Sequence, residues 1–177
     1  MSIISWVKQA QNGDQNAFIH LFSQFEADIY RIAFLYLNHR DDALDVVQET
    51  AYRSYRALQG LKEPKYFKTW LISIAIRCSI DLLRQRRKVV PLKPEYEELL
   101  NDDGKALDIP LSLSLQDMID RLNEEEKSVI ILRFFYDHTI KETADILELP
   151  LGTSKTILYR ALGKLRKQAR EDGWLEP

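Results

Sequence analysis

Thr139 to Arg166, TIKETADILELPLGTSKTILYRALGKLR, constrains this chain more than any other stretch, because it spells two short helices separated by a breaker. Thr139 followed by Glu142 makes a T-x-x-E capping box, which satisfies orphan N–H groups at a helix start. Ile140, Ala144 and Leu147 recur at i, i+4 and i+7, the apolar face of a two-turn helix. Pro150 suits a first helical position, since its missing N–H would be unpaired there anyway. On the second helix Leu158, Ala161, Leu162 and Leu165 line one side, and Lys155, Thr156, Tyr159, Arg160, Gly163 and Lys167 the other. The pattern is a helix-turn-helix whose basic second helix can lie in a DNA major groove. An amphipathic hairpin that only packs on its neighbours is the plainer alternative.

Charge is segregated along the chain, so the net value of −2 hides its meaning. Residues 1–90 carry 13 Lys/Arg against 9 Asp/Glu, residues 91–126 carry 3 against 11, and residues 127–177 carry 9 against 7. Gly152–Arg170 holds six cations and no acid. Local charge sets the attraction to phosphates, so two basic modules joined by an acidic strip suggest two DNA-facing surfaces and a connector. The 177 residues suffice for one or two small cores. No apolar run is long enough to cross a bilayer, and MSIISWVKQAQNGD lacks the pattern of a signal peptide, so a cytoplasmic protein is expected. The single cysteine, Cys78, excludes an internal disulfide and is expected in the core. His20, His39 and His138 show no metal-ligand spacing and no phosphate-cradling Gly loop is present. No metal, cofactor or catalytic residue is expected, and the chain does not read as an enzyme.

Taken in order, residues 1–38 are helical in pattern, with Asp14 as an N-cap and a break near Glu26. Asp41 is expected to cap the next helix, whose inward face holds Ala43, Val47, Thr50, Ala51, Ser54 and Leu58. Asp45, Gln48, Glu49, Tyr52 and Arg56 share its outward face, a mixture that fits a partner surface as well as a solvated one. Gly60 and Pro64 break the helix in QGLKEPK. A long helix from about Tyr66 to Lys88 follows, ending in Arg84, Arg86, Arg87 and Lys88; so many cations exceed what a helix dipole needs and suggest phosphate contact. From Val89 to Pro110 prolines and acids mark a flexible linker. Leu115, Met118, Ile119 and Leu122 then form a helix, and Asn123 caps another. The fold class is all-α: two small helical domains, 1–90 and 112–177, joined by an acidic linker at 91–111.

Four stretches in this order and spacing resemble the extracytoplasmic-function group of bacterial sigma-70 factors. They are DDALDVVQET (Asp41–Thr50), FKTWLISIAIRCSIDLLRQRRK (Phe67–Lys88), LNEEEKSVIILRFF (Leu122–Phe135) and LPLGTSKTILYRALGKLRK (Leu149–Lys167). The resemblance spans nearly the whole chain. It implies a sigma-2 domain, a sigma-4 domain and three kinds of partner. These are core RNA polymerase, met at the clamp helices of its largest subunit and at its flap, promoter DNA, and an anti-sigma factor of a class that is commonly membrane-bound.

Residue by residue, the resemblance implies that Asp45, Gln48, Glu49 and Tyr52 dock on core polymerase. Lys62, Glu63, Lys65 and Tyr66 are implied near an unstacked base of the −10 element, with Arg77, Arg84, Arg87 and Lys88 on its backbone, while Trp70 packs in the core. Lys155, Thr156, Tyr159 and Arg160 are implied in the −35 major groove, where Arg160 can make a bidentate contact to guanine. Lys164 and Lys167 are expected on phosphates.

Three positions depart from the family pattern. Ile157 stands where members often carry Arg, which is expected to remove one DNA contact; Ser154 replaces a Val, and Glu148 replaces the usual Gly of the turn. The competing reading is a one-component regulator, with a helical sensing domain before the helix-turn-helix. The basic end of the long helix weighs against it, because a sensing domain has no use for phosphate contacts.

Overall fold

The structure is a computed structural model that describes residues 2–88 and 113–174, and it divides into two units, Met1–Pro110 and Leu111–Pro177. Every element among the described residues is helical. The expected linker, 91–111, lies outside them.

The first unit is built from α1 (Ile3–Gln11), α2 (Gln15–Ser23), α3 (Glu26–Leu37), α4 (Arg40–Ala57) and α5 (Phe67–Lys88). Gly13 turns the chain at φ 98°, and Asp14 caps α2 as expected by accepting from Ala17 N–H at 3.1 Å. The break after α2 falls at Gln24–Phe25. α3 is the central helix: Ile29, Tyr30, Ile32, Ala33, Leu35, Tyr36 and Leu37 are all buried, too many for one stripe, so neighbours must cover it on several sides. α4 and α5 pack against it and against each other. Ala43, Val46, Val47, Thr50, Ser54 and Leu58 face inward from α4 and its final turn, so Val46 joins the expected face and Ala51 sits at its margin.

The cap of α4 differs from expectation. His39, not Asp41, is the N-cap, and its Nδ1 accepts from Asp42 N–H at 3.4 Å. Asp41 and Asp42 lie within the first turn, where their carboxylates meet the positive end of the helix dipole. The left-handed Asn38, at φ 47°, ends α3 one residue earlier and starts α4 sooner than the Asp41 cap implied.

The second unit holds α6 (Leu113–Asp120), α7 (Glu124–Ile130), α8 (Ile140–Leu147) and α9 (Leu151–Glu171). Asn123 and Glu126 close a reciprocal capping box on α7, and Thr139 and Glu142 close another on α8. α7 runs into a π-helical turn over Ile131–Phe135 before the loop that carries Asp137 at φ 53°. The core gathers Leu122, Ile130 and Ala161, with Leu158, Leu162 and Leu165 packed against them. On α8 the buried positions are Thr143, Ala144 and Ile146, with Ile140 and Leu147 half-buried, so the inward face is rotated from the Ile140–Ala144–Leu147 line. Leu115 is likewise turned outward on α6, while Gln116 is buried and donates to Asp120 Oδ1 at 3.2 Å.

Glu148 closes α8 in the left-handed conformation at φ 55°, ψ 40°, and Leu149 N–H reaches back to Ala144 O at 2.9 Å. The turn therefore keeps the geometry a glycine normally supplies, at a steric cost of about 1 kcal/mol for a residue with a Cβ. Glu148→Gly is expected to raise the stability of the second domain by about that amount. Thermal melting of the full chain checks it; an unchanged or lower transition refutes the strain.

Candidate nucleic-acid interface

In the first domain the candidate reading loop is short and tethered. After α4 the chain makes a 3-10 turn at Leu58–Gly60 and another at Pro64–Tyr66 before entering α5. Gln11, at the end of α1, donates its side-chain amide to Leu58 O at 3.0 Å and Leu61 O at 2.9 Å. Two carbonyls of the turn are thus paired with a residue 47 and 50 positions away, Leu58 O in addition to the Leu61 N–H it accepts at 3.1 Å. Periodicity does not reveal Gln11, because the signal lies in tertiary proximity. Phe67 anchors the other end: it is fully buried, with ring centroids 5.9 Å from Phe25 and 5.8 Å from Trp70.

Between these anchors Lys62, Glu63, Lys65 and Tyr66 are all exposed. Tyr66 leaves 54% of its surface open, and the Lys65 ammonium lies 4.8 Å from its ring centroid. An open aromatic ring beside cations is the combination on which an unstacked base can rest. Trp70 is half-buried behind Phe67. Along α5, Arg77 and Arg84 are exposed; the side chains of Arg87 and Lys88 lie outside the described residues. Arg86 is ion-paired with Asp42, which is buried on α4. One cation of the terminal cluster therefore ties two helices together.

The outward face of α4 is assembled as expected, with Asp45, Gln48, Glu49, Tyr52 and Arg56 all exposed. Tyr52 is 57% exposed, and its hydroxyl accepts from Arg56 at 2.9 Å. Arg53, between the two faces, donates to Glu49 Oε1 at 2.6 Å and to Asp81 Oδ2 on α5 at 2.8 Å. Hydrogen bonds to Asp81 and then Glu49 hold this guanidinium above its ordinary pKa. It spans a groove of about 300 Å³ whose lining includes Asp45, Glu49, Asp81, Cys78 and Gln85. Cys78 is a core residue, and burial pushes its thiol pKa up.

In the second domain α9 sorts its residues by side. Ser154, Ile157 and Ala161 are buried, whereas Lys155, Thr156, Tyr159 and Arg160 are exposed, Tyr159 to 72%. The helix thus presents two cations, a hydroxyl and a phenol on one surface, the groups that hydrogen-bond base edges and phosphates. Thr156 Oγ1 donates to Gly152 O at 3.0 Å, which fixes its rotamer with the methyl free.

One expectation for α9 is corrected. Ile157 is only 3% exposed and Ser154 is fully buried, so the departures from the family pattern lie in the packing face and remove no outward contact. Ile157 lies four residues and Ser154 seven before Ala161, a spacing that a fuller count along the helix would have placed inside. Lys164 is exposed but also pairs within the domain: its Nζ is 2.8 Å from Glu126 Oε2. Lys167 is exposed and reaches Glu171 at only 3.8 Å, one turn along.

The described residues contain no helix long and apolar enough to cross a membrane. Sequence comparison matches residues 21–89 to Sigma-70 region 2 and residues 118–167 to Sigma-70, region 4. The chain is 37% identical over 145 residues to the RNA polymerase sigma factor SigV of Bacillus subtilis, covering 82% of this chain and 86% of that protein. It is 29% identical over 184 residues to the ECF RNA polymerase sigma factor SigW of the same organism, covering 97% and 98%. Its fold is similar to that of the sigma factor RpoE from Bartonella quintana, solved in complex with the anti-sigma factor NepR. The TM-score is 0.65 at 20% identity, over 86% of this chain and 96% of that one.

Proposed function

The chain belongs to the extracytoplasmic-function group of the sigma-70 family, and on that premise we propose that it is a dissociable promoter-specificity subunit of bacterial RNA polymerase. The observation that carries the reading is the pairing, on one chain, of a region 2 match and a region 4 match, each with an exposed basic face. One reader alone would hold DNA through phosphates and few bases; two readers at a set spacing multiply their specificity when both are fastened to the same polymerase.

In this reading residues 1–90 form the polymerase- and −10-binding domain, 91–111 the connector and 112–177 the −35-binding domain. Asp45, Gln48, Glu49 and Tyr52 on α4 meet the clamp helices, and the Arg53 bridge to Asp81 keeps Glu49 in place at the edge of that surface. Tyr66, with Lys62, Glu63 and Lys65, receives an unstacked −10 base, while Arg77, Arg84, Arg87 and Lys88 follow the phosphates. Lys155, Thr156, Tyr159 and Arg160 read the −35 groove, and Lys167 holds backbone.

Strand opening follows from capture. Each base that leaves the duplex and stacks on a protein ring regains part of the energy lost on unpairing, so binding shifts the duplex toward the melted state without hydrolysis. The chain performs no covalent chemistry and needs neither metal nor cofactor. It acts in the cytoplasm, where the polymerase is, and an anti-sigma factor holds it inactive. The one-component regulator is not favoured, because residues 21–89 match region 2 where that reading requires a sensing domain.

Run-off transcription with core polymerase and fragments of the source genome, with and without the chain, tests the proposal. Promoter-dependent transcripts that appear only with the chain are expected. No such transcript from any fragment, together with failure to co-purify with core polymerase, refutes it.

A further inference from the structure

Lys164 lies on the basic helix α9, yet its ammonium is committed to a carboxylate on another element. Its Nζ is 2.8 Å from Glu126 Oε2. Glu126 is fully buried, and the same oxygen accepts from Asn123 N–H at 3.1 Å to complete the α7 capping box. The other oxygen, Oε1, is buried and makes no hydrogen bond among the described residues. A carboxylate withdrawn from water to this depth persists as an anion only with a cation beside it. Burial pushes the Glu126 pKa up, but the Lys164 and Asn123 hydrogen bonds and the charges of Lys164 and Arg160 outweigh it and hold it below the usual carboxylate range. Arg160 and Lys164 are four residues apart on α9, hence one turn apart on one face, and Glu126 attracts both.

We propose that Glu126 is a positioning residue for promoter reading: it withholds Lys164 from the DNA phosphates. The inference rests on the reading of α9 as the DNA-facing helix. A phosphate contact from Lys164 would strengthen binding to every sequence alike. With that cation held by Glu126, a larger share of the affinity comes from Lys155, Thr156, Tyr159 and Arg160, and discrimination rises.

Glu126→Gln tests the charge with little change of shape, since Gln also serves at the third position of a capping box. The full chain and its Glu126→Gln, Lys164→Gln and double variants are titrated with a fluorescent duplex of random sequence across a range of KCl. Glu126→Gln is expected to bind that duplex more tightly and to steepen the plot of log affinity against log salt by about 0.9, one added phosphate contact. Lys164→Gln is expected to leave the parent slope unchanged, and the double variant to return to it. A purely structural Glu126 lowers the melting temperature of Glu126→Gln with no change in slope, which overturns the proposal. A shallower slope for Lys164→Gln alone overturns it too, because Lys164 would then already be on a phosphate. If Glu126→Gln does not fold, the Lys164→Gln slope decides between these outcomes. Absence of any salt-dependent DNA binding by the parent chain counts against the DNA-facing α9 itself, a result distinct from an unchanged slope.

Discussion

Phe67→Ala is expected to cost the first domain about 3–5 kcal/mol, a large share of the roughly 5–15 kcal/mol that holds a typical domain folded. The ring is fully buried between Phe25 and Trp70, at the point where the candidate reading loop turns into α5. Its removal takes away the transfer energy of the side chain and leaves a cavity that a helix start, fixed by its own backbone, can close only in part. Chemical denaturation of the full chain should show an early transition for the first domain. Promoter opening should fail along with it.

The neighbouring residue supplies the contrast. Tyr66 is 54% exposed and its only described ring contact is with the Lys65 ammonium, so Tyr66→Ala is expected to leave the denaturation midpoint nearly unchanged. It should nevertheless weaken capture of the melted −10 strand by about 1–3 kcal/mol, the value of one base stacked on a ring. Permanganate footprinting of the opened promoter reads this directly. Equal losses of stability in the two variants would mean that Tyr66 is a packing residue.

Arg160→Ala is expected to weaken −35 recognition by about 1–3 kcal/mol and to relax preference at one base pair, while leaving attachment to core polymerase intact. Its guanidinium is exposed on the outward side of α9, beside Thr156 and Tyr159. Competition binding by the holoenzyme, with promoters altered singly across the −35 element, locates the affected base. A uniform loss over all sequences would make Arg160 a phosphate ligand, and an undiminished affinity would remove it from the interface.

Much of this arrangement was legible in local patterns. The capping boxes at Asn123 and Thr139 and the Asp14 cap depend on residues three positions apart, so sequence spacing nearly dictates geometry. The outward row on α4, from Asp45 to Arg56, was likewise readable, because a long helix packed on one side must alternate its faces at a fixed period. His39 caps α4 in place of the expected Asp41 because the left-handed turn at Asn38 brings the chain into the helix sooner, and the residues around Asp41 do not by themselves specify that turn.

The sequence by itself determined that the chain is helical, that it carries two basic modules in the order of a sigma factor, and which helix of each module bears the cations. Periodicity and charge suffice for that, since both are properties of a helix taken alone. Tertiary structure decided how each helix is turned and which of its charges remain available. Ile157 went inside because the core around Leu122 and Ile130 lies on that side of α9. Arg86 was tied to Asp42, Gln11 was drawn to the reading loop, and Lys164 was claimed by a carboxylate 38 residues away. A cation's neighbours in space, unlike its neighbours in the chain, set whether it can meet a phosphate, and only packing brings them together.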